Sequence, residues 1–155
     1  MKLILMIAAA ALVAQPVAAH MPAATKADAA AVRSVLSTYK SAIERLDATG
    51  TERLFTADSA IFETGGVEGS YGNYLAHHLG PELDEFKSFR FSNYKIEVRF
   101  VGPAALATES YAYRIETKKG EVAARLGVAT TVLTKIKGSW KILSMHNSAR
   151  RPKAS

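Results

Sequence analysis

The stretch "NYLAHHLGPELDEF", Asn73 to Phe86, holds the densest run of groups that bind metals or move protons: His77, His78, Glu82, Asp84 and Glu85. Histidine changes charge near neutral pH, which suits it to general acid–base work. Neighbours on a helix diverge by about 100°, so His77 and His78 cannot share a face. With Tyr74 and Leu75 on the buried side, the spacing brings His78 toward the interior and leaves His77 near the edge. Gly80 is expected to end this helix and Pro81 to open a new turn, with Asp84 and Glu85 as charges at a helix start. A third histidine lies in "SWKILSMHNSA". Strict alternation there puts Trp140, Ile142, Ser144, His146 and Ser148 on one face, and the Trp-Ile pair makes that face the inner one. In "TESYAYR", Glu109, Tyr111, Tyr113 and Ile115 share a face. Turned inward, that face would carry a carboxylate with a raised pKa and phenols able to donate to a developing oxyanion. Turned outward, it would be a dimer surface. Periodicity leaves both open, for Arg125 as well.

Two chemistries follow. One is proton transfer, with His146 as base, His78 as its partner, Tyr111 as oxyanion donor and Glu109 beside it. The other is a divalent metal, held by His78, Glu82 and His146 as a two-histidine, one-carboxylate set, with His77 or Glu109 as substitutes. The spacing "HHLGPE" is not that of two histidines on one turn flanking a glutamate. A glycine-rich phosphate loop before a helix and a nucleophile elbow are both lacking, which argues against nucleotide chemistry and serine hydrolysis. No organic cofactor is expected.

The elements that must position these groups have distinct periods. Val32, Leu36, Tyr39, Ile43 and Leu46 recur at helical spacing, and Gly50 closes that helix. "SAIFET" reads as a strand. From Tyr94 the period becomes two, and four long strands follow, joined by turns at Gly102-Pro103, Lys119-Gly120 and Lys137-Gly138. Helices gathered ahead of an antiparallel meander predict an α+β fold, in which a strongly curved antiparallel sheet wraps the long N-terminal helix into a cone.

The chain has 155 residues, room for one domain. Lys2, the apolar run Leu3 to Ala14, Pro16 and the small residues Val17 to Ala19 have the pattern of a secretory signal peptide over residues 1–19. The run is too short to span a bilayer. The rest divides into a flexible leader (20–27), a domain (28–151) and a tail (152–155), for a protein expected in the periplasm or secreted, with no membrane span once the signal is cleaved. There is no cysteine, so no disulfide staples the fold. The net charge of +6 falls to +5 without Lys2. Much of it sits in the tail "ARRPKAS" and the rest is scattered without an aromatic-basic motif, which argues against nucleic acid.

The helix "VLSTYKSAIERLDATG" followed by "LFTADSAIFETGG", the later Gly69, and the ending "GSWKILSMHNSARR" resemble the nuclear transport factor 2-like superfamily, in its SnoaL-like branch. The resemblance covers roughly residues 28–151. It implies a pocket inside the cone, a small organic ligand and a homodimer formed through the sheet. It leaves the function among isomerases, dehydratases, cyclases, ligand carriers and non-catalytic dimerisation modules. The chain is thus expected to bind a small molecule, perform cofactor-free proton transfer or hydration, act as a non-catalytic module, or hold a metal.

Overall fold

The computed structural model describes residues 24–153; the expected signal peptide lies outside them. Helix α1 (Lys26–Glu44) begins at a reciprocal cap. The Thr25 hydroxyl accepts the Asp28 N–H, and Asp28 accepts the Thr25 N–H. Asp28 Oδ1 also accepts Lys135 Nζ at 2.7 Å and Trp140 Nε1 at 3.0 Å, so the start of α1 is tied to the sheet. The salt bridge and hydrogen bond from Lys135, joined by the Thr25 and Trp140 donors, hold the Asp28 carboxyl well below the usual carboxylate range.

A 3-10 turn (Thr51–Leu54) leads into β1 (Phe55–Glu63) and β2 (Gly66–Gly69). A helical segment, Tyr71 to Glu85, precedes β3 (Phe86–Val101), β4 (Ala104–Thr117), β5 (Val122–Ile136) and β6 (Ser139–Arg150). The fold is α+β, with one curved six-stranded sheet in the order β2-β1-β6-β5-β4-β3. The expected all-antiparallel sheet is corrected in one place. β1 pairs parallel with β6, so the sheet is mixed, because the chain crosses from β1 through the helical segment and the meander before β6 returns beside it. The short β2, too rich in glycine for a period-two signal, pairs back on β1.

The core is built on the concave face. Val32 and Leu36 of α1 join Ile61, Ala105, Ala107, Leu133 and Ile142 in one buried cluster. At the other end α1 contributes Tyr39, Lys40 and Ile43 to a cavity.

Gly80-Pro81 does not break the helical segment. Leu75–Leu79 forms a π-turn, and the Gly80 N–H donates to the Leu75 carbonyl, five residues back. The wider turn brings Tyr74 and Leu79, five apart, to the buried side, whereas a four-residue repeat would have placed His78 there. It also presses the Leu75 carbonyl against Gly80, where an added Cβ would lie 2.6 Å from that oxygen. Gly80→Ala should therefore lower stability by about 1–3 kcal/mol in urea unfolding, the usual cost of overpacking; an unchanged midpoint would mean that the π-turn relaxes at no cost.

Candidate active site

The cavity lies between the C-terminal half of α1, the helical segment and the wide end of the sheet, and has a volume of about 130 Å³. Along β4 the inner face runs Ala105, Ala107, Glu109, Tyr111, Tyr113. The alanines are fully buried, Glu109 is 7% exposed and both tyrosines are half-buried. The "TESYAYR" face thus points inward and forms the cavity wall. Gly127 pairs with Tyr111 across β4 and β5, and a Cβ on it would lie 2.2 Å from the Tyr111 ring. The absent side chain lets that ring lie against the sheet.

Three carboxylates, Glu63, Glu82 and Glu109, line the cavity, and two of them are bonded to phenols. Glu109 accepts the Tyr94 hydroxyl on Oε1 and the Thr131 hydroxyl at 3.3 Å on Oε2. Burial raises its pKa, although both hydrogen bonds oppose this. Glu63 accepts the Tyr74 hydroxyl on Oε2 at 2.5 Å. Among the described residues its Oε1 has no hydrogen-bond partner, nor do the hydroxyls of Tyr111 and Tyr113 or the Asn147 amide, all of which line the cavity. None of these atoms is sealed away from solvent-accessible space. Burial lifts the phenol pKa of Tyr39, Tyr74, Tyr111 and Tyr113, and the charge of Glu63 lifts all four further. Glu63 therefore sits amid four phenols.

The histidines fall elsewhere. His146 is exposed on the outer face beside Phe62, its ring centroid 6.2 Å from that of Phe62. The alternation reading that turned it inward is corrected by a β-bulge. Leu133 pairs with Ile142 and Val132 with Ser144, so Leu143 is an extra residue on β6. The phase flips after it, sending Met145 and Asn147 inward and His146 outward. His78 lies at the cavity rim, its ring 5.1 Å from that of Tyr74. Its Nδ1 is 3.1 Å from Glu68 and its Nε2 3.5 Å from Glu82. Partial burial works to lower the His78 pKa, but the Glu68 hydrogen bond and the charges of Glu82, Glu63 and Glu68 outweigh it and raise the value. His77 is exposed.

The expected metal set of His78, Glu82 and His146 is therefore not assembled, since the bulge removes His146 to the far face of the sheet. Among the described residues no group of three His, Cys, Asp or Glu side chains is placed to hold a metal ion. Glu63 and Asn147 were not singled out by spacing. Glu63 had a signal, lying two residues beyond the buried Ile61 on the same strand face. Asn147 had none, because the bulge hides its phase.

A curved sheet closed by one long helix over a polar-aromatic pocket defines a cone-shaped protein of the nuclear transport factor 2-like superfamily. Within it, residues 32–152 match the model of the SnoaL-like domain, and the chain belongs to that family. Similar solved structures include a candidate ketosteroid isomerase from Shewanella frigidimarina. It is 26% identical, with 76% of this chain and 94% of that one covered and a TM-score of 0.67. A ketosteroid isomerase-like protein from Erwinia carotovora atroseptica is 20% identical, with 83% and 100% covered and a TM-score of 0.71. A type 2 hexachlorocyclohexane dehydrochlorinase is 13% identical, with 83% and 90% covered and a TM-score of 0.70. The last two likenesses are of fold alone. No curated protein matches the sequence.

Because the Glu109 pKa is raised from its ordinary 4.5, the folded protein holds this proton more tightly than the unfolded chain. Stability from this group is therefore full below about pH 4.5 and falls as pH rises through the folded value. Glu109→Gln should raise the melting temperature at pH 8 and leave it unchanged at pH 4, as thermal unfolding across that range would reveal.

Proposed function

We propose that this is an exported small-molecule-binding protein whose pocket performs cofactor-free proton transfer or hydration chemistry, with Glu63 moving the proton. The observation that carries this reading is the half-satisfied Glu63 carboxylate. One oxygen is fixed by Tyr74 and the other is open to a cavity lined by unpartnered donors. Glu63 takes the base role that simple alternation assigns to His146. Its Oε1 would remove a proton from a carbon next to a carbonyl, and the electron pair would move onto the carbonyl oxygen. The Tyr111 hydroxyl and the Asn147 amide would donate to that oxygen. Where a carbon–carbon double bond stands β,γ to the carbonyl, the electron pair would return from the oxygen through the dienolate and the proton held on Glu63 would pass to the γ carbon, completing an isomerisation. In hydration the same carboxylate would take a proton from water as its oxygen adds to the β carbon of a conjugated enone, with the electron pair moving onto the carbonyl oxygen, and would return that proton to the α carbon. Glu109, its pKa raised by burial, would fix the Tyr94 side of the wall through the hydroxyl bond it accepts. The names isomerase and dehydrochlorinase borne by proteins of similar fold are compatible with chemistry on small organic molecules in such a cone.

Incubation in deuterated water with a panel of enolisable ketones, followed by proton NMR, tests this reading. The wild-type protein should exchange the acidic C–H of at least one ketone. Glu63→Gln should slow that exchange by roughly 10²–10⁴-fold, the usual worth of a positioned base. Exchange that survives Glu63→Gln would remove Glu63 from the role. No exchange with any ketone would favour a non-catalytic binding module.

Pairing through the sheet is part of the same proposal. On the outer face of β5, Val122, Leu126 and Val128 alternate and are 54%, 37% and 54% exposed. An apolar row of this kind suits the same row on a second copy. Sedimentation should give a dimer, and Val128→Glu should shift it to monomer; a wild-type monomer at micromolar concentration would refute the pairing. The leader pattern at residues 1–19 supports a periplasmic or secreted location.

A further inference from the structure

We infer that the ligand of this pocket is a small organic cation, an amine or quaternary ammonium, received by the aromatic wall and balanced by Glu63. This names the ligand class for the pocket proposed above and rests on that reading.

Three observations lead there. First, the lining is an aromatic cage. Tyr39, Tyr74, Phe91, Tyr94, Tyr111 and Tyr113 all face the cavity, and their ring faces carry negative quadrupole charge. The rings are held at fixed angles to one another. Tyr94 stacks on Tyr111 at 5.6 Å, and Phe91 meets Tyr111 edge-on at 5.1 Å. The mutual packing holds these rings in place around the cavity.

Second, the wall already carries an ammonium at its edge. Lys40 Nζ lies 5.3 Å from the Phe91 ring centroid and 5.4 Å from that of Tyr94, within the range of a cation–π contact. Its charge is matched by Glu44 at 2.6 Å. Glu44 is itself fixed by the Phe91 N–H at 3.0 Å. The Lys40–Glu44 pair is thus closed, and Lys40 adds little net charge to the cavity.

Third, the remaining charge facing the cavity is negative. Glu63, Glu82 and Glu109 line it, and Glu109 has both oxygens engaged by the Tyr94 and Thr131 hydroxyls. Glu82 has His78 at 3.5 Å, which offsets it when protonated. Glu63 is left with an open oxygen and no cationic partner among the described residues. Arg125, opposite Tyr113 in the sheet, is not among the cavity-lining side chains. A chain with net charge +6 has therefore placed an uncompensated carboxylate inside an aromatic cage. A neutral ligand would leave that carboxylate unpaired and partly dehydrated. An anion would be repelled by it. An organic cation satisfies both the charge and the rings. The cavity volume of about 130 Å³ restricts the choice to a compact head group.

Calorimetric titration with choline, with its neutral carbon isostere 3,3-dimethylbutan-1-ol and with acetate separates charge from shape. Choline should bind roughly tenfold or more tightly than the isostere, the equivalent of one well-placed cation–π or ion-pair contact. Glu63→Gln should erase the preference while leaving isostere binding in place. Lys40→Met, which clears the ammonium from the Phe91 and Tyr94 rings and leaves Glu44 without its partner, should tighten choline binding, and it serves as the second test should Glu63→Gln prove poorly folded by circular dichroism. Equal or tighter binding of the isostere or of acetate, no binding of choline, or a choline preference that both variants leave unchanged would overturn the assignment. Deuterium exchange of the ketone panel judges the proton-transfer reading separately, so the failure of one reading is distinguishable from the failure of the other.

Discussion

The structure depends on a mismatch between one helix and one concave sheet. α1 fills the narrow end of the curve, where Val32 and Leu36 pack against Ala105, Ala107, Leu133 and Ile142 with almost no exposure. The small alanines let helix and sheet approach closely there, and close packing of apolar surface is the dominant stabilising term. Along the same strand face, burial falls through Glu109 to Tyr111 and Tyr113. The helix cannot follow the sheet outward, so the wide end must be lined by long side chains. Those side chains are aromatic and tipped with polar groups, which makes the gap a pocket.

Two local irregularities aim the lining. The extra residue Leu143 rotates the end of β6 by one position and presents Asn147 in place of His146. In the parallel pairing of β1 with β6, Asn147 stands beside Glu63, so the bulge also assembles the part of the wall that carries the open carboxylate. The π-turn at Leu75–Leu79 delivers Tyr74 onto Glu63 and leaves His78 at the rim. Bulges and π-turns break a regular ladder and are tolerated where surrounding packing holds them. Here each is anchored by buried neighbours, Ile142 and Met145 on one side, Tyr74 and Leu79 on the other.

The electrostatics follow from depth. Glu109 lies deepest, with both oxygens engaged, and burial raises its pKa. Glu63 stands amid phenols with one oxygen free. Depth thus separates a fully engaged carboxylate at Glu109 from one at Glu63 that keeps an oxygen open to the cavity. His78, between Glu68 and Glu82, belongs to the rim and not to this pair.

The long-range pattern was legible in the sequence because it rests on repeats. The helical stripe of Val32, Leu36 and Ile43 and the alternation of the strands follow from backbone geometry alone, and they indicate an α+β fold, while the family follows from the SnoaL-like match over residues 32–152. The inner-face grouping of Glu109, Tyr111 and Tyr113 was also legible as a grouping, since no bulge interrupts β4 between them. Which way that face turned was not, because alternation is symmetric until packing chooses a side. The displaced residues show the same limit. His146 follows the Leu143 bulge, and His78 lies within the π-turn at Leu75–Leu79. A single-residue change of phase moves a side chain from one face to the other. Whether the chain admits such a change is decided by contacts distant in sequence. Sequence therefore determined the elements and the residues available for chemistry, and the tertiary structure alone decided that Glu63 and Asn147, not the histidines, face the pocket.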